Sequence, residues 1–191
     1  MGKLTVTCFI TLDNVVEDPH LWSGAYQSED TGLLNDAVLR DADALLLGRV
    51  TYEGFAAAWP SRSGDPFADK FNSMPKYVVS TTLETADWNN STILSEDPFG
   101  RIRELKSDQN LLTWGSPSLV QGMLDEGLVD ELVLLYSPIV LGEGKRLFGD
   151  GAHLLGFRLE SIETSTTGVT LARYLASEPA APGSFALEET T

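Results

Sequence analysis

Three short stretches place glycine, hydroxyl or guanidinium groups directly after apolar runs, and these residue types bind anions. Gly48-Arg49-Val50-Thr51 follows "ALLL", Ser80-Thr81-Thr82 follows "YVV", and Gly115-Ser116-Pro117 follows "LLTW". Free N–H groups at a helix start, an arginine side chain and hydroxyls all donate hydrogen bonds to phosphate. The three stretches together indicate a phosphorylated ligand, for which a nucleotide cofactor is the natural candidate.

The Gly115-Ser116-Pro117 stretch has the clearest helix-start pattern. Serine is a favoured N-cap, and proline suits the first helical position. The glycine lets a ligand approach the backbone closely. The pattern therefore predicts an anion site at a helix N-terminus, and the alternative is a well-capped helix with no ligand.

The Gly48 to Thr51 stretch predicts a second strand-to-helix turn. Thr51 is predicted to cap a helix that runs to about Ala58, and Arg49 to place its guanidinium beside the free N–H groups. The alternative for Arg49 is a surface arginine paired with a carboxylate. Such pairs are common in an acidic chain, and this one carries a net charge of −15.

The apolar runs before these turns predict buried strands that alternate with helices. Strands are expected at 3–12, 44–48, 76–82, 91–94, 110–115 and 130–142, the last interrupted at Pro138, and a hairpin over 156–176 turns at Thr167-Gly168. Helices are expected at 29–43, 51–58, 97–106 and 116–127, with a polar loop around Gly64 and Pro66. The first helix should bury Leu33, Leu34, Ala37 and Val38. This order predicts an α/β fold with a mostly parallel sheet and an antiparallel edge.

Length and composition predict one globular domain. The 191 residues are 42% hydrophobic and 21% charged, with a domain expected over 1–177 and a flexible acidic tail over 178–191. The negative charge argues against nucleic acid or an anionic membrane as partner. Lone Cys8 lies in an apolar run and is expected in the core. We expect a cytoplasmic protein, because a single cysteine fits a reducing compartment and the N-terminus lacks a signal-peptide pattern.

Two other patterns argue against common catalytic sites. His20 and His153 are the only histidines and lie far apart, so a zinc site or a Ser-His-Asp triad has little support. The stretch "LGEGKRLF" departs from a phosphate-binding P-loop, because Ile139 stands where the first glycine belongs and Arg146 where a magnesium-binding hydroxyl belongs. No metal site is expected.

The order and spacing of the motifs resemble the RibD C-terminal-domain family of small reductases, within the dihydrofolate reductase-like superfamily. The matching segments are "ITLDNVVEDP", "DALLLGRVTYEGFAAAWP", "PKYVVSTTL", "LLTWGSPSLVQGMLDEGLVDELVLLYSPIVLGEGKRLF" and the closing hairpin. The resemblance implies a three-layer fold, with a central mixed sheet, helices on both faces and NADPH bound across the strand ends. NADH is a possible second cofactor.

The resemblance also assigns roles to individual residues. Gly48, Arg49 and Thr51 would hold phosphates, and Ser80, Thr81 and Thr82 would lie near the adenosine 2′-phosphate. Gly115, Ser116 and Leu119 would contact the pyrophosphate and its surroundings. The substrate pocket would be lined by Asp13, Trp22, Tyr52, Phe55 and Trp59, for which core packing is the alternative and is favoured more for Phe55 than for Trp22. Asn14 and Thr81 depart from the glycine and the basic residue that relatives often carry.

The function implied is an NAD(P)H-dependent reductase of a pterin- or aminopyrimidine-like heterocycle. It would be similar to the 5-amino-6-(5-phosphoribosylamino)uracil reductase of riboflavin biosynthesis. Asp13 is the candidate for orienting or protonating the substrate, with a pKa raised by a half-apolar pocket. The alternative is a non-catalytic nucleotide-binding protein that retains the fold. The apolar C-terminal half predicts a homodimer.

Overall fold

The residues that the computed structural model describes, 2–149 and 154–179, form eight strands and five α-helices. The strands are β1 (Leu4–Thr11), β2 (Ala44–Gly48), β3 (Lys76–Val79), β4 (Ser91–Leu94), β5 (Leu111–Trp114), β6 (Glu131–Ser137), β7 (Gly156–Thr164) and β8 (Thr170–Ser177). The helices are α1 (Glu29–Arg40), α2 (Arg49–Ala58), α3 (Pro66–Ser73), α4 (Pro98–Asp108) and α5 (Pro117–Asp125). Two short 3-10 turns, Pro19–Leu21 and Ser23–Tyr26, precede α1.

All eight strands belong to one mixed sheet, in the order β4-β3-β2-β5-β1-β6-β8-β7. The strands from β4 to β6 pair in parallel, whereas β8 is antiparallel to β6 and to β7. The predicted α/β architecture with an antiparallel C-terminal hairpin is therefore confirmed. The break predicted at Pro138 is confirmed, although the strand does not resume after it, because β6 ends at Ser137.

The helices cover both faces of the sheet, and each face has its own core. Side chains from α1, α2 and α3 pack on one face, which we call the α1–α3 face. Side chains from α4 and α5 pack on the other, the α4–α5 face. Cys8 lies in the second core, where burial raises the pKa of its thiol to about 12. Among the described helices, none combines the length and apolar character that crossing a membrane requires.

Two local predictions were wrong. The segment expected to be a polar loop around Pro66 contains α3, which Asp65 begins by accepting the N–H of Ala68 at 3.1 Å. On α1, Leu33 is 62% exposed and Ala37 is exposed, because the buried side of this helix is formed by Leu34, Val38 and Leu39. The predicted tail over 178–191 lies outside the described residues beyond Pro179, as does His153.

Candidate functional site

The carboxyl ends of β2 and β5, two neighbouring parallel strands, lie side by side, and we call the space beyond them the crevice. The helix that follows β2 packs on the α1–α3 face, and the helix that follows β5 packs on the α4–α5 face. The chain therefore leaves the two strands toward opposite faces of the sheet. Ligands of open α/β sheets bind at such switch points.

The floor of the crevice joins two of the predicted turns. The N–H of Gly48 donates a hydrogen bond to Oγ of Ser116, with an N···O distance of 2.9 Å. A Cβ on Gly48 would lie 3.6 Å from Cβ of Ser116 and 3.8 Å from Cβ of Leu119. Gly115 has a φ of +73° and lies opposite the Thr51 side chain, which its own Cβ would approach to 3.9 Å. The glycines thus keep open a space that larger residues would fill.

The helices that start at this crevice have no side-chain caps, unlike the other three. Ser28, Asp65 and Asp97 cap α1, α3 and α4 with side-chain oxygens. No side chain caps α2 after Gly48 or α5 after Ser116. The first N–H groups of a helix lack intrahelical acceptors and carry the positive end of the helix dipole. The crevice therefore presents two helix N-termini to an anionic ligand.

This arrangement corrects the predicted capping roles. Thr51 was predicted to cap α2, but α2 begins at Arg49 and Thr51 is its third residue. Ser116 stands at the N-cap position of α5 with a left-handed backbone, a φ of 60° and a ψ of 55°, but its hydroxyl accepts the N–H of Gly48 instead of an N–H of α5. The N–H of Gly48 is consequently not free for a phosphate.

Arg49 has the surface pairing that was the alternative for it. Its guanidinium lies 3.1 Å from a carboxylate oxygen of Glu53, one turn along α2, and both side chains are almost half exposed. Exposed pairs of this kind contribute little to stability. The guanidinium is thus able to exchange Glu53 for a ligand phosphate at small cost.

The Ser80 to Thr82 stretch forms a turn at the end of β3. Oγ of Ser80 accepts the N–H groups of Thr82 and Leu83, at 3.1 and 2.9 Å. Ser80 itself is buried, whereas Thr81 and Thr82 are exposed. The hydroxyls available to a ligand here are therefore those of the two threonines.

Asp13 follows β1 and binds a loop that follows β6. Its carboxylate accepts the Thr11 hydroxyl at 2.6 Å, the N–H of Gly142 at 2.8 Å and the N–H of Leu141 at 3.3 Å. The Thr11 hydroxyl, followed by the Gly142 N–H, lowers the pKa of Asp13 to about 2. The prediction of a raised pKa was wrong, because these donors stabilise the ionised form more than the partial burial opposes it.

The loop that Asp13 holds also brings a cation to the N-terminus of α5. Nζ of Lys145 donates to Oγ of Ser118, the second residue of α5, at 2.8 Å. Backbone bonds from Val16 to Lys145 and from Leu147 to Asn14 fix this loop against the segment after β1. Sequence reasoning missed Lys145, because "LGEGKRLF" was considered only as a P-loop. The Gly-x-Gly pattern followed by two basic residues was the available signal.

The predicted pocket aromatics are divided between two places. Tyr52 is buried, and its hydroxyl accepts the N–H of Trp88 at 3.0 Å. Phe55 and Trp59 are partly buried and pack with Phe67 and Phe71 on the α1–α3 face. Core packing was the alternative to lining a substrate pocket for these two residues, and the structure has that packing. Trp22 lies in the 3-10 segment before α1, is half-buried, and donates its indole N–H to the carbonyl of Glu17 at 2.9 Å.

The sheet order sets the candidate residues in a row. Gly48 ends β2, and Ser80, Gly115 and Asp13 follow β3, β5 and β1. These four strands are consecutive neighbours in the order β3-β2-β5-β1. At about 4.8 Å between strands, the row spans roughly 14 Å. An extended ligand with phosphates near its centre would place them at the crevice between β2 and β5, one end toward Thr81 and the other toward Asp13.

The sheet and its helices define a dihydrofolate reductase-like fold. Residues 2–171 match the RibD C-terminal domain family, and the chain belongs to it. Among curated relatives, it is 30% identical to the uncharacterized protein YyaP of Bacillus subtilis (strain 168) over 138 residues, which are 69% of this chain and 72% of YyaP. It is 25% identical to the uncharacterized protein YwjB of the same organism over 174 residues, covering 88% of this chain and 95% of YwjB.

Solved structures show the same fold. One is a protein from Shewanella sp. PV-4 whose name assigns it provisionally to riboflavin biosynthesis, with a TM-score of 0.74, 24% identity and coverage of 92% and 99% of the two chains. Another is a pyrimidine reductase-like protein from Corynebacterium diphtheriae, with a TM-score of 0.67, 14% identity and coverage of 93% and 92%. A deaminase/reductase from Thermotoga maritima aligns over 92% of this chain but 57% of its own, with a TM-score of 0.65 and 16% identity.

Proposed function

We propose that this chain is an NAD(P)H-dependent reductase of a pterin- or aminopyrimidine-like heterocycle. The observation that carries the proposal is the glycine-lined crevice between β2 and β5, where two helices start without side-chain caps. Membership of the RibD C-terminal domain family supports a reductase. The names of the structural relatives, which refer to riboflavin biosynthesis and pyrimidine reduction, support a heterocyclic substrate.

The residues of the crevice fit a dinucleotide cofactor, which would supply the hydride when bound. The N–H groups at the starts of α2 and α5 would bind its pyrophosphate, with Gly115 allowing close approach. Arg49 and Lys145 would add charge from opposite sides, one from α2 and the other from the loop after β6. Thr81 and Thr82 would contact the adenosine end through hydroxyls, which distinguish NADPH from NADH less strongly than a guanidinium would.

Asp13 would orient the substrate as an ionised acceptor. A carboxylate offers about four lone-pair sites, and three hydrogen bonds to Asp13 are present. One site is left for an N–H or amino group of a flat ring. With a pKa of about 2, Asp13 holds no proton to donate at neutral pH. The proton that accompanies reduction would then come from solvent.

The alternative is a nucleotide-binding protein without catalytic activity. One feature of Asp13 favours this alternative. Its carboxylate is bound by the protein's own backbone and anchors the 138–147 loop. A reductase and a binder differ in turnover. The test is incubation of the protein with NADPH and a pyrimidine or pterin. A reductase should oxidise NADPH, whereas a non-catalytic binding protein should bind NADPH without oxidising it.

Binding at the crevice is tested by adding one methyl group. Gly48 has a φ of −80°, so alanine is conformationally allowed, and its Cβ would make only ordinary contacts. We expect Gly48→Ala to preserve stability and lower NADPH affinity at least about tenfold, a change worth about 1.4 kcal/mol. Gly54→Ala is the control, because a Cβ there meets nothing within 4 Å. Equal affinities of the two variants by titration calorimetry would place the cofactor elsewhere.

The two cations and the adenosine end are tested separately. Arg49→Ala should weaken NADPH binding about tenfold, since charge-assisted phosphate contacts contribute about 1.5–3 kcal/mol, whereas Glu53→Ala should not weaken it. Lys145→Ala should lower the affinity for NADPH and reduce the salt dependence of that affinity.

Thr81→Arg should sharpen the preference for NADPH over NADH. A parent protein that already rejects NADH a thousandfold would contradict the proposed role of the Thr81 turn.

A further inference from the structure

The connection between β3 and β4 carries the two threonines of the proposed adenosine contact. Its residues, 80–90, form neither helix nor strand, and we call them the 80–90 connection. Thr81 and Thr82 are exposed, whereas Trp88 near the other end is 4% exposed. The indole N–H of Trp88 donates to Oδ1 of Asn72, on α3, at 3.0 Å. The 80–90 connection is therefore anchored to α3 through this tryptophan.

The ring of Trp88 also lies against a buried cation. Nζ of Lys76 is 4.3 Å from the centre of the ring. The same ammonium donates to the backbone carbonyls of Asn72, Met74 and Asn89, at 2.7, 2.7 and 3.2 Å. Cation–π contacts are strongest where the cation is desolvated, and Lys76 is fully buried. The tryptophan is thus held by its ring as well as by its indole N–H.

Tyr52 joins this anchored tryptophan to the helix that starts at the crevice. Tyr52 is the fourth residue of α2 and is 3% exposed. Its hydroxyl accepts the backbone N–H of Trp88 at 3.0 Å, and the two rings are 6.2 Å apart. A buried backbone N–H without a partner is costly, so this hydrogen bond fixes the 80–90 connection relative to α2.

We propose that Tyr52 is a positioning residue for the cofactor, acting through Trp88. This inference rests on the proposed function, in which the start of α2 binds the pyrophosphate and Thr81 and Thr82 contact the adenosine. A dinucleotide bridges these two places, and linked contacts strengthen each other only when the geometry allows both at once. The Tyr52 hydroxyl holds the two places at the distance that one ligand spans. Because its side chain is buried, Tyr52 acts through this hydrogen bond and does not line the substrate pocket.

The test compares two ligands, NADPH and reduced nicotinamide mononucleotide, which lacks the adenosine half. By titration calorimetry, Tyr52→Phe should bind NADPH about fivefold or more weakly than the parent does, and should bind the mononucleotide equally well. Tyr77→Phe is the matched control and should change neither affinity. Tyr77 is a partly buried tyrosine on β3 whose hydroxyl also accepts one N–H, from Gln109 at 3.2 Å, but it packs on the α4–α5 face.

Amide hydrogen exchange tests the anchor in the free protein, without any ligand. In Tyr52→Phe, the N–H of Trp88 loses its acceptor, so peptides that cover residues 81–90 should exchange faster while β1 keeps its protection. Trp88→Phe is a second variant, because it removes only the side-chain bond to Asn72. It should show the same difference between the two ligands.

The outcomes separate this inference from the proposed function. Unchanged exchange over residues 81–90 in Tyr52→Phe would overturn the positioning role, as would an equal loss of affinity for both ligands. A parent that binds both ligands, with a Tyr52→Phe variant that binds NADPH as tightly, would overturn the role of Tyr52 alone. A parent that binds neither ligand would overturn the proposed function, and the positioning role with it.

Discussion

Two effects of opposite sign act at Ser116: the hydrogen bond to Gly48 stabilises the fold, and the left-handed backbone destabilises it. Substitutions at this residue can separate the two. Ser116 is 5% exposed and accepts the N–H of Gly48 at 2.9 Å. Ser116→Ala removes the acceptor and leaves a partly buried amide without it, at a cost of about 1–3 kcal/mol. In a chain of this length, that loss lowers the midpoint of thermal unfolding by roughly 2–4 °C per kcal/mol.

Ser116→Gly removes the same acceptor but also changes the conformational energy of the backbone. The left-handed backbone at Ser116, with a φ of 60°, costs a residue with a Cβ about 1–2 kcal/mol. Glycine avoids this cost and loses about 0.5–1 kcal/mol through the greater freedom of its unfolded chain. We therefore expect Ser116→Gly to be more stable than Ser116→Ala by roughly 0.5–1 kcal/mol, the reverse of their order in a regular helix or strand.

Urea denaturation at neutral pH measures both differences. Ser118→Ala is the control, because Ser118 is exposed and its hydroxyl binds only the exposed Lys145 ammonium; its effect should stay within about 0.5 kcal/mol. If Ser116→Ala is as stable as the parent, the Gly48 amide does not depend on the hydroxyl. If Ser116→Gly is the less stable of the two variants, the left-handed conformation at this position does not destabilise the fold.

Three further predictions concern ionised groups. Glu131 is 2% exposed, and its carboxylate contacts Lys3, the Thr5 hydroxyl and Arg173. Glu131→Gln should therefore lower the free energy of unfolding, measured with urea, by about 2–3 kcal/mol. The control Glu160→Gln, at an exposed residue, should lower it by less than about 0.5 kcal/mol. Burial lowers the pKa of Lys76 from 10.5 to about 8, so between pH 8 and 10.5 the native state has released a proton that the unfolded chain still binds. The unfolding free energy of the parent, relative to that of Lys76→Met, should therefore rise as the pH increases across that window. A difference between the two proteins that stays constant with pH would contradict this prediction. The native pKa of Asp13 is also lowered, so stability again rises with pH, here in the acid range. The contribution of Asp13 is present above about pH 4 and is lost as the pH falls from 4 to 2, so Asp13→Asn should remove that part of the acid transition.

Local patterns in the sequence predicted the sheet because short apolar runs between turn residues have few other interpretations. The crevice at Gly48 and Gly115 followed from the rule that parallel strands end together. α3 was missed because its surroundings are polar, although Asp65-Pro66 is a cap followed by a favoured first residue, and Phe67 and Phe71 lie one turn apart. The cap of α2 was misplaced by the preference for a hydroxyl at that position.

The ionised state of Asp13 depends on one local contact and two distant ones. The Thr11 hydroxyl, two residues before it, is a local donor that the sequence offered and that was not considered. The other donors, Leu141 and Gly142, lie 128 and 129 residues further along the chain, so no local pattern contains them, and a generic apolar pocket was assumed. Lys145 escaped notice for the same reason, since its approach to Ser118 depends on how two loops pair in space.

The central position of β1 in the sheet determines when the chain can fold. β1 lies between β5 and β6, and its pairs Leu4–Leu111 and Thr5–Glu131 join residues more than a hundred positions apart. On the ribosome, β1 has no partner strand until most of the domain has been synthesised, whereas β2, β3 and β4 pair with near neighbours. Long-range pairing slows folding and leaves apolar strands exposed meanwhile. β1 should therefore join the sheet only after β5 and β6 have been synthesised.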